Sequence, residues 1–291
     1  MKNFIVVNND YERTRKVVDY IIYQFEKAGF VKVEKDPDFA LILGGDGTFL
    51  DACKKIGYDS NILCIGINFG NLGYLLDISN TQIENLLKYL RETSEEDLNV
   101  EYVNLLEAKF YFHSSDKILT LYATNEIAFF GNRLSRIDLR VSTDNGFSQK
   151  VSVSNMFVST ATGSTGINKS NFGPVMLDEY PLLITSFNLA ISNGKTDNFI
   201  SNPLIYSSFN IDILNRYGNL DITLDFKDIS EIEDLADVKR VELKVSDKKI
   251  KKLNFNAQRR GSKIREKMIG IEKWYKVPFK HINCLRGAFY V

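Results

Sequence analysis

The stretch LILGGDGTFL at 41–50 limits this chain's options more than any other. An apolar run at 39–43 meets Gly44-Gly45-Asp46-Gly47-Thr48, and a helix-compatible segment follows with Phe49, Leu50, Cys53 and Ile56 on one stripe. Glycine permits positive φ and close approach of a backbone to a ligand. A strand, a glycine loop and a helix start in succession form an anion site, because free N–H groups and the helix dipole converge on the loop. Asp46 is the odd member. It repels a phosphate unless a metal stands between them, or unless it has another task such as accepting a proton. The plainer alternative is a tight strand-to-helix turn in which Asp46 caps the helix.

The surrounding pattern predicts an α/β unit. A short strand at 4–7 precedes Val17, Val18, Ile21, Ile22 and Phe25 at helical spacing, with Gly29 closing that helix. Another apolar run at 62–67 precedes Asn68-Phe69-Gly70-Asn71-Leu72-Gly73-Tyr74, and Ile83, Leu86, Leu87 and Leu90 mark a further helix. This alternation is that of a parallel sheet with helices on its faces. After the polar connection at 92–99, period-2 alternation takes over. Ile137, Leu139 and Val141 lead into Asp144-Asn145-Gly146 and then Val151 and Val153, a hairpin signal. The runs 211–214 and 220–224 around Tyr217-Gly218-Asn219 predict another hairpin, and Ser246-Asp247-Lys248-Lys249 predicts a turn between 241–245 and 250–253. The expected organisation is an α/β domain at 1–95, a mainly antiparallel β domain at 96–255, and a C-terminal segment at 256–291 too aromatic to be disordered.

At 291 residues, two domains are the prior. Lys plus Arg and Asp plus Glu are both 37, so bulk charge recruits neither nucleic acid nor a membrane. No apolar run reaches membrane-span length and no signal-peptide pattern is present. Cys53, Cys64 and Cys284 show no CxxC spacing, which argues against zinc and against a disulfide framework and for a reducing cytoplasm. His113 and His281 are the only histidines, and both read as surface or packing residues. Chemistry therefore rests on carboxylates, hydroxyls and backbone amides. The acid-rich stretch 225–237 and the basic stretch 248–252 read as solvated faces.

Two more stretches carry polar groups in useful combinations. Thr124-Asn125-Glu126 follows an apolar run; an amide beside a carboxylate reads hydroxyls and a base edge together, or else Asn125 makes a turn and Glu126 faces water. The segment MFVSTATGSTGINKSNFGPV at 156–175 is dense in hydroxyls and glycines, suited to a phosphate- or ribose-bearing ligand. Residues 163–170 imitate a P-loop, but Asn168 replaces the glycine of its cradle. A Rossmann fingerprint is absent, since Leu50 stands where the third glycine belongs.

GGDGT at 44–48, GINFGNLGYL at 66–75, TNE at 124–126 and STATGSTGINKSNFGP at 159–174 occur in that order. Together they resemble the NAD kinases, over about residues 39–270. GGDGT alone is shared with lipid kinases; the ordered set is more specific. The resemblance implies an α/β N-terminal domain, a sandwich-like all-β C-terminal domain, and a final segment packing back on the first domain. It implies transfer of the terminal phosphate of ATP to the 2′-hydroxyl of the adenosine ribose of NAD, giving NADP, with Mg²⁺ or another divalent cation on the ATP phosphates and no metal held by the protein alone. It also implies a cytoplasmic homo-oligomer, dimer or tetramer, whose partners are small-molecule nucleotides.

Residue by residue, Asp46 resembles the family's general base, and Gly44, Gly45, Gly47 and Thr48 its phosphate loop. Asn125 and Glu126 resemble the pair holding the adenosine part of NAD. Thr162, Thr165, Gly166, Ile167, Asn168, Lys169 and Ser170 match the dinucleotide loop, and Asn68 and Tyr74 the loop closing over it. The chain departs from the family at Ser154, where an aspartate contacts the nicotinamide part, at Ala161 for proline, at Ile167 for an aromatic residue, and at Phe226 for a histidine or related polar residue. The segment after Gly270 has no counterpart. Two alternatives stand beside a kinase of NAD: a non-catalytic NAD(P)-binding regulatory member, and a kinase of another hydroxyl such as a lipid's.

Overall fold

The computed structural model describes residues 2–69, 73–131, 136–177, 179–188, 204–216, 220–229 and 235–257. The expectations at Gly70, Asn71 and Leu72, at Tyr217-Gly218-Asn219, at His281 and Cys284, and over 258–291 lie outside these residues.

The first part contains β1 (Asn3–Asn8), α1 (Glu12–Lys27), β2 (Val31–Lys32), β3 (Phe39–Gly44), α2 (Asp46–Lys55), β4 (Leu63–Asn68), β5 (Ile78–Ser79) and α3 (Ile83–Glu92). Its strands pair in parallel in the order β2-β1-β3-β4, with β5 beside the end of β4. Both faces of this sheet are covered. Phe39, Leu41 and Leu43 pack with Ile21 and Phe25 of α1 and Leu86, Leu87 and Leu90 of α3. Ala40 and Ile42 pack with Phe49, Ala52 and Cys53 of α2 on the other face. A strand buried on two faces needs a continuous apolar run, as 39–43 provides.

The second part contains β6 (Val100–Phe112), β7 (Ile118–Ala123), β8 (Glu126–Gly131), β9 (Ile137–Ser142), β10 (Ser148–Val153), β11 (Asn155–Ser159), α4 (Ile167–Ser170), β12 (Leu183–Asn188), β13 (Ile205–Tyr206), β14 (Ser208–Arg216), β15 (Leu220–Leu224), β16 (Lys227–Asp228) and β17 (Val238–Leu253). β8, β11, β12, β13, β15 and β16 form one antiparallel sheet. It faces the layer containing β6, β7, β9, β10, β14 and β17 across a core that includes Phe110, Phe129, Met156, Phe209 and Ile222. β9 and β10 form the hairpin expected at Asn145-Gly146.

Two local expectations are corrected. β14 and β15 do not pair with each other: β14 lies between β9 and β17, while β15 lies between β8 and β16 in the facing sheet. Both strands alternate because both line the core between the sheets, and period 2 does not distinguish strands side by side from strands face to face. The chain also does not turn at 246–249. β17 runs through it as a bulge against β6, with register shifting between Val245 and Lys249, and the buried Ser246 hydroxyl accepts from Lys248 N at 3.1 Å.

β17 joins the two parts. It runs antiparallel to β6 and, at Lys251 and Lys252, parallel to Leu63 and Cys64 of β4. One sheet therefore passes from the α/β part into the sandwich. No helix among the described residues is long and apolar enough to cross a membrane.

Candidate active site

The glycine loop lies at the carboxyl ends of β3 and β4, where open parallel sheets present ligand sites. Phe69 N donates to Gly44 O at 2.7 Å and holds the two ends level. A Cβ on Gly44 would fall 2.1 Å from Thr48 Oγ1 and 2.8 Å from Asn9 Nδ2, so no side chain fits there. Thr48 Oγ1 accepts from Gly45 N and from Asn9 Nδ2, each at 3.3 Å. Gly45 is the N-cap of α2 and Asp46 is its first residue. Asp46 is thus not the cap. Its carboxylate is held from outside the helix, Oδ2 accepting from Tyr74 N and Oδ1 from Leu75 N, both at 2.9 Å.

The segment supplying those amides has a shape only glycine allows. Gly73 sits at φ 54°, and a Cβ on it would lie 2.2 Å from Asn68 Nδ2 and 2.3 Å from Leu76 O. Tyr74 is thereby brought to Asp46, and Asn68 lies against Gly73. Burial, and then the Asp46 charge beside it, push the Tyr74 phenol above its ordinary pKa. A Cβ on Gly47 would meet nothing within 4 Å, so this glycine leaves open space over the helix N-terminus.

Thr124-Asn125-Glu126 forms the junction of β7 and β8. Asn125 O accepts from Thr160 N at 2.8 Å and from Thr160 Oγ1 at 3.2 Å. Gly163 presses on the same peptide, where a Cβ would lie 2.1 Å from Asn125 O. Glu126 does not face water. It is 1% exposed, and among the described residues neither carboxyl oxygen has a hydrogen-bond partner. Burial, and then the charge of Asp225, push its pKa up to about 8. Its Oε2 lies 3.9 Å from where a Gly166 Cβ would be. An orphaned buried carboxyl is costly in a fold and leaves bonding capacity that a ligand would satisfy.

Asp225 was missed when 225–237 was read as a solvated face. It closes the β15–β16 hairpin with Phe226, and its carboxylate accepts from Thr124 N at 2.9 Å, Asn125 N at 2.7 Å and Glu126 N at 3.3 Å. Lys227 pairs with Asp51 of α2. Asp225, Phe226 and Lys227 line a groove of about 400 Å³ together with Gly45, Gly47 and Thr48. Tyr11 and Arg13 also line it. The only sequence signal for this hairpin is its short Asp-Phe-Lys break after an alternating run.

The 162–170 loop is braced internally. Thr162 Oγ1 donates to Glu179 Oε1 at 2.8 Å, and Thr165 Oγ1 donates to Thr162 O at 3.0 Å. Asn168 is fully buried and its Nδ2 donates to Pro174 O at 2.7 Å, so its amide shapes the loop rather than lining the cleft. Gly166, Lys169 and Ser170 are exposed and Ile167 is half-buried. Ser154 precedes β11 and the loop follows it, so Ser154 stands at the opposite end of that strand. His113 is exposed at the end of β6, as expected of a surface histidine.

Residues 6–96 match the family model of the ATP-NAD kinase N-terminal domain. The NAD kinase of Finegoldia magna is 30% identical over 220 residues, covering 73% of this chain and 78% of that protein. Two solved structures share the fold. Yeast NADH kinase complexed with NADH superposes with a TM-score of 0.78 at 16% identity, over 93% of this chain and 88% of the other. An NAD kinase from Archaeoglobus fulgidus in complex with ATP gives 0.64 at 20% identity, over 91% and 99%. Identity at that level to a relative covered over three quarters of its length establishes kinship as well as shape: the chain belongs to the NAD kinase family.

Proposed function

We propose that this protein transfers the terminal phosphate of ATP to the 2′-hydroxyl of the adenosine ribose of NAD, forming NADP and ADP. The observation that carries this reading is the clamp on Asp46 at the mouth of a glycine loop. Two backbone amides fix a carboxylate at the N-terminus of α2, beside a groove whose other wall adjoins Asn125 and Glu126. Asp46 takes the proton of the 2′-hydroxyl as its oxygen attacks phosphorus. Gly44, Gly45, Gly47 and Thr48 form the loop that receives the phosphates, and α2 directs its N-terminal dipole at them. Asn125 and Glu126 hold the adenosine part of NAD, with Gly166 leaving room beside Glu126.

Among the described residues no three His, Cys, Asp or Glu side chains cluster as a metal site. Mg²⁺ or another divalent cation would be carried by the ATP phosphates, whose charge it would neutralise. Ser154 lies a five-residue strand, ~16 Å, from the dinucleotide loop. In this reading it stays at the nicotinamide end of the site, and the protein is a homo-oligomer. Cys53 and Cys64 are free and buried, in keeping with work in the cytoplasm.

The test is incubation with ATP, Mg²⁺ and NAD, with NADP identified as product. Asp46→Asn should lower kcat by about 10²–10⁴-fold, the usual contribution of a positioned general base. Full activity in that variant would refute the base assignment. NADP binding without turnover would favour the regulatory alternative, and phosphorylation of a lipid hydroxyl in place of NAD would favour the other.

A further inference from the structure

We propose that Asp225 is a positioning residue for the acceptor nucleotide: its carboxylate fixes the peptide from which Asn125 and Glu126 project, and its hairpin ties that peptide to α2. The inference rests on the reading of Asn125 and Glu126 as ligands of NAD. One side chain accepts three consecutive backbone N–H groups from a junction 99 to 101 residues away in the chain. Asp225 N in return donates to Glu126 O at 3.0 Å. The strand pair Leu224–Lys227 leaves only Asp225 and Phe226 in the turn, and both take left-handed backbone, φ 50° and 60°. Two non-glycine residues held there mark a turn whose geometry is imposed by its surroundings. The next residue, Lys227, reaches Asp51, five residues into α2 from Asp46. The hairpin thus spans from the acceptor side of the cleft to the helix that carries the base.

Asp225 also sets the electrostatics of Glu126. The groups facing Asp225 are Lys227 of its own hairpin, Cys53 of α2, Tyr58 beyond α2, and Glu126 of β8. Burial raises the pKa of Asp225, while its three amide bonds and Lys227 oppose that rise. Burial and the Asp225 charge together keep Glu126 protonated near neutral pH. A protonated carboxyl both donates and accepts, so Glu126 is equipped to bond a ribose hydroxyl or a base edge from either side.

The experiment compares Asp225→Ala and Asp225→Asn with the wild type in two readouts. In the ligand-free protein, hydrogen exchange at 124–126 should accelerate about tenfold in Asp225→Ala, the loss expected when bonds to a charged acceptor are removed. In kinetics with NAD varied at saturating ATP, KM for NAD should rise about tenfold while kcat stays within about threefold, because Asp46 is held by other amides. Asp225→Asn keeps an acceptor oxygen and tolerates left-handed backbone. It should restore most of the KM while moving the pH dependence of KM to lower pH, a change that a purely structural role does not produce. Wild-type exchange in Asp225→Ala, or a fall in kcat with KM unchanged, overturns the proposal. If Asp225→Ala does not fold, an Asp225→Asn with unshifted pH dependence overturns it as well. A wild type that makes no NADP defeats the function proposed above, and the exchange measurement still decides whether Asp225 holds the peptide.

Discussion

At Glu126, burial and the neighbouring Asp225 charge raise the carboxyl pKa, and the consequence is a pH dependence of the whole fold. Its carboxyl titrates near 4.5 in an unfolded chain and about 8 in the fold. Between those values the folded protein keeps a proton that the unfolded chain has lost, so stability falls as pH rises through that window. The contribution has a ceiling of roughly 5 kcal/mol. The shift at Asp225 has the same sign. Glu126→Gln preserves the shape of the protonated group and cannot ionise. Its melting temperature should fall less than that of the wild type between about pH 5 and about pH 8.5, a residual slope remaining from Asp225. Equal slopes would exclude Glu126 as a source. Glu126 itself was legible from Thr124-Asn125-Glu126; its burial was not, because the partner that fixes it lies far along the chain. Asp46 shows the same division. Its place in a glycine loop is written locally, whereas the amides of Tyr74 and Leu75 that hold it arrive from another segment.

Elements that carry their own turn chemistry were read correctly from sequence, and elements defined by distant partners were not. β9 and β10 follow from Asn145-Gly146 between alternating runs. β14 and β15 alternate equally well but belong to facing sheets, and β17 passes through a polar, charged stretch that local signals mark as a turn. The β15–β16 hairpin is the instructive case, since a two-residue turn of this hand favours Asn-Gly and here contains Asp225 and Phe226. Phe226 is 60% exposed, so core packing does not offset its backbone strain. Phe226→Gly should therefore raise stability by about 0.5–1 kcal/mol, the cost of left-handed backbone for a bulky residue less the entropy glycine adds to the unfolded chain. Urea unfolding would show it as a higher midpoint at unchanged slope. A destabilised Phe226→Gly would mean that the ring packs in the groove strongly enough to exceed the strain.

For the molecule as a whole, the seam between β17 and β4 decides whether the two parts behave as one. The sequence divides near residue 95, where helical spacing gives way to alternation, but hydrogen bonding does not divide there: β6 and β17 continue the parallel sheet into the sandwich. That continuity is invisible locally because β4 and β17 lie nearly two hundred residues apart and neither carries a signal for its partner. Lys252 sits at the seam, 1% exposed, with Nζ 2.5 Å from Glu101 and 3.9 Å from Asp77. Asp77 lies just past Leu75, on the segment whose amides clamp Asp46, and its carbonyl accepts from Asn256 Nδ2 at 2.9 Å. Lys252→Met would remove the buried ammonium from between Glu101 and Asp77, and breaking a buried ion pair costs about 3–5 kcal/mol. With one sheet shared, that loss should appear as a single transition at lower temperature, with amide protection at 39–44 and at 208–216 falling together. Two separate transitions, or lost protection confined to one of those strands, would show that the parts unfold independently and that the seam does not couple them.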